Sequence, residues 1–167
     1  RQAGIAFNRK GFGETSMDDI ASALNITKPT LYYYFNDKLE LLFECLKTAL
    51  LLGDNSKEIA EAHQGNARER LEVFIRSYIS ALTSELGSCA VLMEHRALRA
   101  NDQKIVHKKR RKFDLFLREL VQEGIDEGSI VKQNSMLVVA FFMGSINTIP
   151  SWFSLEGPLT GEDIANA

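Results

Sequence analysis

Residues 15–38 read TSMDDIASALNITKPTLYYYFNDK, and the fold is decided in this stretch. Ser16 followed three residues later by Asp19 has the spacing of a capping box, in which each side chain satisfies the other's backbone N–H. Asp18 and Asp19 also suit the positive end of a helix dipole. The helix so begun is expected to turn Ile20, Ala23 and Leu24 inward. Asn25-Ile26-Thr27 forces a turn, and Lys28-Pro29 restarts a helix, where proline is tolerated because a first-turn N–H has no intrahelical acceptor. Leu31 and Phe35, four apart, anchor this second helix to a core, and Asp37 with Glu40 opens a third. Two short helices a few residues apart, the second polar at its start and aromatic at its end, describe a helix-turn-helix.

In that motif the second helix enters the major groove with its N-terminal residues against base edges. Lys28, Thr30, Tyr33 and Tyr34 are not needed for the face set by Leu31 and Phe35, so they are what the helix presents outward. Lysine can donate to guanine, a threonine methyl can touch a thymine methyl, and tyrosine hydroxyls reach phosphates. The plainer alternative is that Tyr32-Tyr33-Tyr34-Phe35 is an aromatic core segment. Four consecutive aromatics surround a helix, however, so some must face solvent or a partner.

Outward from this stretch, nearly every segment reads at helical period, and no alternating strand pattern is found. A short helix over about Gln2–Arg9 ends at Lys10-Gly11, where Gly11 can take a left-handed cap, and it is expected to be the latter part of a longer helix. The helix after Asp37 carries Leu39, Leu42, Phe43, Leu46, Ala49 and Leu50 as its stripe and runs toward Gly65. Ala67–Leu86 follows, with Leu71, Phe74, Ile75, Tyr78 and Leu82 on one side. Gly87-Ser88 separates it from Cys89–Ala100. Asp102–Glu127 is a long helix with Phe113, Phe116, Leu117, Leu120, Val121 and Ile125 in its stripe. Ser135–Phe153 is apolar nearly all round, so Leu137, Val138, Phe141, Phe142, Gly144 and Ser145 ask for more than one partner surface. A central core helix of a monomer is the blander alternative.

Gly11-Phe12, Thr15-Ser16, Ile20-Ala21, Leu24-Asn25-Ile26-Thr27 and above all Lys28 through Lys38 closely resemble the DNA-binding head of TetR-family repressors. The resemblance is specific over about residues 3–45, and beyond that it is architectural. It implies an all-α protein with a three-helix DNA-binding domain at 1–45 and a ligand-binding, dimerising body at 46–167. It implies that Ser16, Tyr33 and Lys38 clamp phosphates while Lys28, Pro29, Thr30 and Tyr34 face bases, with Thr27 and Tyr32 also among the DNA-binding residues. It implies a homodimer joined through the two long C-terminal helices in a four-helix interface, with Phe113, Leu117, Leu120, Leu137, Phe141, Gly144 and Ser145 on it. The basic arm that often precedes the family's first helix is missing here, and residues 1–52 carry six basic and six acidic side chains.

For an effector site, body residues with an apolar frame and a polar tip are the candidates: Tyr78, Met93, His95, Arg99, Asn147 and Trp152. The segment Trp152-Phe153…Gly157-Pro158-Leu159 resembles family members that respond to acyl thioesters or aromatic compounds.

Bulk properties narrow the alternatives. A chain of 167 residues, 45% apolar and 25% charged, supports one sizeable core, or a small head sharing a core with a body. A net charge of −2 argues against indiscriminate coating of nucleic acid but leaves specific binding open. Cys45 and Cys89 have no paired spacing and read as reduced packing residues of a cytoplasmic protein. No secretory signal opens the chain, and Met136–Gly144 is too short for a membrane span. His107–Lys112 (HKKRRK) looks like a nucleic-acid patch but spreads round its helix and reads as a solvated turn, with a rim role at the dimer or near DNA as the alternative. His63, His95 and His107 lack metal spacing, and no cofactor or catalytic motif is found; a helical carrier or enzyme with a vestigial helix-turn-helix is the rival reading, which a palindrome-specific, salt-sensitive DNA complex would discriminate.

Overall fold

A computed structural model describes residues 1–167 apart from 88, 89 and 91–93. The described residues are all-helical, without strands: α1 (Gln2–Lys10), α2 (Met17–Ala23), α3 (Lys28–Tyr34), α4 (Lys38–Ala62), α5 (Ala67–Leu82), a 3₁₀ turn (Glu94–Ala97), α6 (Ala100–Asp126), α7 (Ser135–Ile146), α8 (Ile149–Trp152) and α9 (Gly161–Asn166).

Local chemistry sets the boundaries in the head. Ser16 and Asp19 form a complete capping box on α2. Thr27 caps α3 with Pro29 in its first turn, and Asp37 caps α4 by accepting from the Glu40 N–H at 2.9 Å. Asn25 turns the chain between α2 and α3 with φ 55°, a left-handed conformation that asparagine tolerates. Gly11 stops α1 at φ 83°, ψ 158°, so it uses a glycine-specific extended region rather than the left-handed helical cap expected.

Two clusters make the core. The head cluster joins Ala3, Phe7, Met17, Ile20, Ala21, Leu31, Leu41, Leu42, Cys45 and Leu46, and it takes in Leu98 and Val106 from the body. The body cluster runs from Ala49 and Leu52 through Phe74, Tyr78, Ile79 and Leu82 to Leu117, Val121, Val139, Ile146 and Ile149. The two hand over within α4, between Leu46 and Ala49.

Several expected faces are corrected. On α2, Met17, Ile20 and Ala21 are buried while Ala23 is exposed, and Leu24 just after it is 42% exposed; a seven-residue helix fits two apolar arcs, and the core shared with α1, α3 and α4 takes this one. On α4, Leu41 and Cys45 are buried and Leu39 is only half-buried, because a helix packed on both head and body buries a wider arc. The last long helix breaks at Asn147-Thr148, dividing Ser135–Phe153 into α7 and α8.

Packed between α4, α5 and α7, α6 directs Val106, Leu117, Leu120 and Val121 into its own chain. The stretch Ser135–Trp152 has mean hydropathy 1.3 over 18 residues, long and apolar enough by composition to cross a membrane, and 28% of it is buried in this chain. Val139, Ile146 and Ile149 seat it in the body core, while Leu137 and Phe141 stay outside it.

Candidate nucleic-acid interface and cavity

Of the seven residues of α3, only Leu31 is buried. Tyr33 is 83% and Tyr34 67% exposed, with their rings edge-to-face at 5.2 Å, and Tyr32 is exposed beside them. Lys28, Pro29 and Thr30 are exposed at the other end of the helix, together with its cap Thr27. The Thr27 and Thr30 hydroxyls share a 2.8 Å hydrogen bond, which fixes the Thr30 rotamer. Lys28 pairs with Asp18 at 2.6 Å, and this exposed contact raises the lysine pKa above its ordinary range, chiefly through the hydrogen bond. A surface pair of this kind is weak and exchanges readily for another anion.

Ser16 lies exposed at the start of α2. Its hydroxyl donates to Asp19 Oδ2 at 2.6 Å, and the same carboxylate accepts the Ser16 N–H, so these bonds hold Asp19 below the usual carboxylate range. Lys38 is placed differently from the phosphate clamp expected of it. Its ammonium donates to the carbonyls of Phe12 at 2.7 Å and Thr15 at 2.8 Å, over the Phe12 ring. Thr15, itself buried, donates to the Gly11 carbonyl at 2.8 Å in the same turn. Lys38 therefore ties down the α1–α2 turn instead of presenting a bare cation.

The body holds a cavity of about 200 Å³ between α4, α5, α6 and α7. Ala49, Leu50, Phe113, Leu117, Val139 and Met143 supply its apolar wall, and Tyr78, Arg110 and Asn147 its polar groups, with Lys109, Asp54 and Asp114 also on its lining. The Tyr78 hydroxyl stands 3.4 Å from Asn147 Oδ1. Burial pushes the Tyr78 phenol above the ordinary tyrosine range, opposed in part by the Arg110 charge, and burial likewise lowers Arg110. Arg110 Nη1 lies 2.9 Å from His95 Nδ1. A guanidinium can only donate, so Nδ1 is the acceptor.

The residues expected at an effector site divide. Tyr78 and Asn147 share this cavity, and His95 stands behind it through Arg110. Arg99 lies elsewhere, in an ion pair with Asp37 at the joint to the head. Trp152 lines a separate groove of about 330 Å³ with Arg1, which precedes α1, and with Ile5, Asn8 and Arg9 on α1. Met93 falls outside the described residues, as does Cys89. Arg110, Phe113 and Met143 were absent from the expected set; their lining role depends on which face of one helix meets another far away in sequence.

The expected dimer surface divides as well. Leu117 and Leu120 are buried in the chain, and partly buried Phe113 stacks edge-on to Phe74 at 5.3 Å, so α6 turns these three toward its own chain. Leu137, Phe141, Gly144 and Ser145 on α7 are all exposed, Phe141 by 74%. A Cβ added at Gly144 would meet nothing in this chain.

Residues 3–45 match the family model described as bacterial regulatory proteins, tetR family, and residues 64–167 match tetracyclin repressor-like, C-terminal domain. The chain is 26% identical over 153 residues to the uncharacterized HTH-type transcriptional regulator YfiR of Bacillus subtilis (strain 168), covering 87% of this chain and 72% of that protein. Over 41 residues it is 42% identical to IcaR of Staphylococcus aureus (strain Newman), a negative transcriptional regulator of the biofilm operon icaADBC, covering 25% of this chain and 22% of that one. Among solved structures, AibR in complex with isovaleryl coenzyme A and operator DNA superposes with a TM-score of 0.82 at 27% identity, covering 99% of this chain and 90% of that one.

Proposed function

Because this chain belongs to the TetR family of DNA-binding transcriptional regulators, we propose that it is a one-component repressor that a small apolar effector releases from a palindromic operator. The observation that carries this reading is α3, a helix that buries only Leu31 and displays everything else. A helix of that length is stable only as part of a larger surface, and the outward residues are those that meet base edges and phosphates. On this reading residues 1–45 are the DNA-binding domain. Lys28, Pro29, Thr30 and Tyr34 read bases, Ser16 and Tyr33 hold phosphates, and Thr27 and Tyr32 border the contact. The regulator acts in the cytoplasm, where its DNA is.

Two copies pair through the uncovered α7 face of Leu137, Phe141, Gly144 and Ser145. Pairing sets the two α3 helices in successive major grooves, about 34–36 Å apart or slightly more. The effector enters the cavity at Tyr78, Arg110 and Asn147. Its apolar wall and small volume suit an acyl or aromatic group, and AibR, crystallised with isovaleryl coenzyme A, supports an acyl thioester among the candidates. The cavity is walled by α4 and α6, and both helices also enter the head core, through Leu42 and Leu46 and through Val106. A ligand that fits better when these helices are spread favours a wrong spacing of the heads; one with equal affinity for both arrangements would shift nothing.

The test is selection of binding sites from random duplex DNA at near-physiological salt, followed by titration of the selected site with acyl-CoA esters and aromatic acids. Enrichment of one inverted repeat and its release by one ligand class supports the reading. A folded dimer that enriches no sequence sinks it.

A further inference from the structure

On a helix turning about 100° per residue, Lys104, Lys108, Arg111 and Lys112 fall within an arc of about 100°. That arc lies opposite the side through which α6 buries Val106, Leu117, Leu120 and Val121. The HKKRRK run alone does spread round the helix, as its sequence suggests, but Lys104 one turn earlier completes a stripe. All four side chains are exposed, and none is in an ion pair among the described residues. Their neighbours differ in this respect: Lys109 pairs with Asp54 and Arg118 with Asp114.

The stripe occupies the end of α6 that is fixed to the head. Arg99, the residue preceding α6, pairs with Asp37, which caps α4 directly after α3. Leu98 and Val106 are part of the head core. Farther from the head the same face changes sign, to Glu119, Glu123 and Asp126. The helix thus holds its positive charge toward the DNA-binding motif and its negative charge away from it.

Most basic side chains of residues 1–52 already have partners within the chain. Of the six basic side chains in residues 1–52, Arg1, Lys10, Lys28 and Lys47 are paired with carboxylates and Lys38 is held by carbonyls, and Arg9 has no ion pair among the described residues. Affinity for a duplex comes largely from neutralising phosphates.

We propose that the Lys104–Lys112 stripe is a second, sequence-independent surface for the duplex, taking phosphates beside the stretch that α3 reads. The proposal rests on the DNA-binding reading above. The stripe supplies encounter rate and salt-dependent affinity, and α3 supplies sequence preference.

The test compares the full chain with a Lys104→Gln/Lys108→Gln/Arg111→Gln/Lys112→Gln variant. A control of equal charge change, Lys57→Gln/Arg68→Gln/Arg76→Gln/Lys132→Gln, lies away from the stripe. Each is titrated with a mixed-sequence duplex and with the selected site, across a series of salt concentrations. Each displaced phosphate contact contributes about 0.9 to the slope of log K against log salt, so the stripe variant is expected to lose roughly 2–4 units of slope. It should bind at least about tenfold more weakly at low salt, while its preference for the selected site over mixed sequence is unchanged. A slope equal to the control's overturns the proposal, as does a stripe variant that alters only the dimer's dissociation. Wild-type protein that binds no duplex overturns the DNA-binding reading as well. Binding by wild type with an unaltered slope in the stripe variant overturns the stripe alone.

Discussion

The ammonium of Lys38 donates to the Phe12 carbonyl at 2.7 Å while standing 4.2 Å from the centre of that residue's ring, so the first residue of α4 closes the turn that precedes α2. Replacing Lys38 with Met keeps much of the side chain's length and removes the donors. The Phe12 and Thr15 carbonyls then lose their partner, a cost of about 1–3 kcal/mol in a partly buried site. Denaturant unfolding should show that loss. Duplex binding by the folded fraction should keep its salt slope, because Lys38 is committed to carbonyls; a slope that drops by about 1 would return Lys38 to the phosphate contacts.

Thr30 and Tyr33 should separate base reading from phosphate holding. Thr30→Ala removes a methyl and a hydroxyl braced by Thr27, and it should cost about 1–3 kcal/mol on the selected site while relaxing preference at one base position. Tyr33→Phe removes only an exposed hydroxyl and should weaken all duplexes alike. Competition binding against a panel of single-base variants distinguishes the two patterns. Undiminished discrimination in Thr30→Ala would take Thr30 off the base-reading surface.

The buried Tyr78 phenol makes stability depend on alkaline pH in a defined direction. Its pKa in the folded chain is raised above the unfolded value, so the folded state holds its proton where the unfolded chain has begun to release it. The stabilisation is complete below the ordinary tyrosine range, about pH 10, and is lost progressively as pH rises above it. Tyr78→Phe should flatten this alkaline decline in denaturation midpoints. The same variant should weaken effector release of the operator while leaving operator affinity intact, which a ligand titration of the preformed complex would read out.

The α7 face gives a prediction about assembly. Phe141 is exposed in the single chain, and a side chain added at Gly144 has open space before it. Gly144→Leu should therefore leave the chain folded but hold two copies apart. Phe141→Glu should do the same by placing charge where apolar surface is to be covered. Sedimentation should report monomers, and affinity for an inverted repeat should fall toward that of a half-site. Dimers that persist unchanged in both variants would move the interface elsewhere.

Much of the head was legible because its rules are local. The Ser16–Asp19 box, the Asp37 cap, Pro29 in a first turn and the outward tyrosines each follow from residues within one or two turns. The choice between Ala21 and Ala23 on α2 was not legible, since the core that α1, α3 and α4 build together decides it. Distance in sequence had the same effect on the cavity. Tyr78 and Asn147 could be singled out as apolar frames with polar tips, but their meeting with Arg110 and Phe113 depends on how α5, α6 and α7 cross. The stripe of α6 announced itself as apolar without saying whether its partner was another copy or this chain's own core; α4, α5 and α7 answered for the core. The basic run was read as six consecutive residues, and the stripe emerges only when Lys104, a turn away, is counted with it.

Leu98 and Val106 bear on how such a protein can be recombined. Because both side chains complete the head core from beyond residue 90, the head is not a cassette that ends where its helix-turn-helix ends. A chimera that grafts residues 1–45 onto a foreign body would inherit an unfilled notch where these two residues belong. One that carries 94–106 along with the head would keep it whole. Drift in the body at these two positions is thus constrained by the head, and an exchange of specificities between relatives must move two separated pieces of chain together.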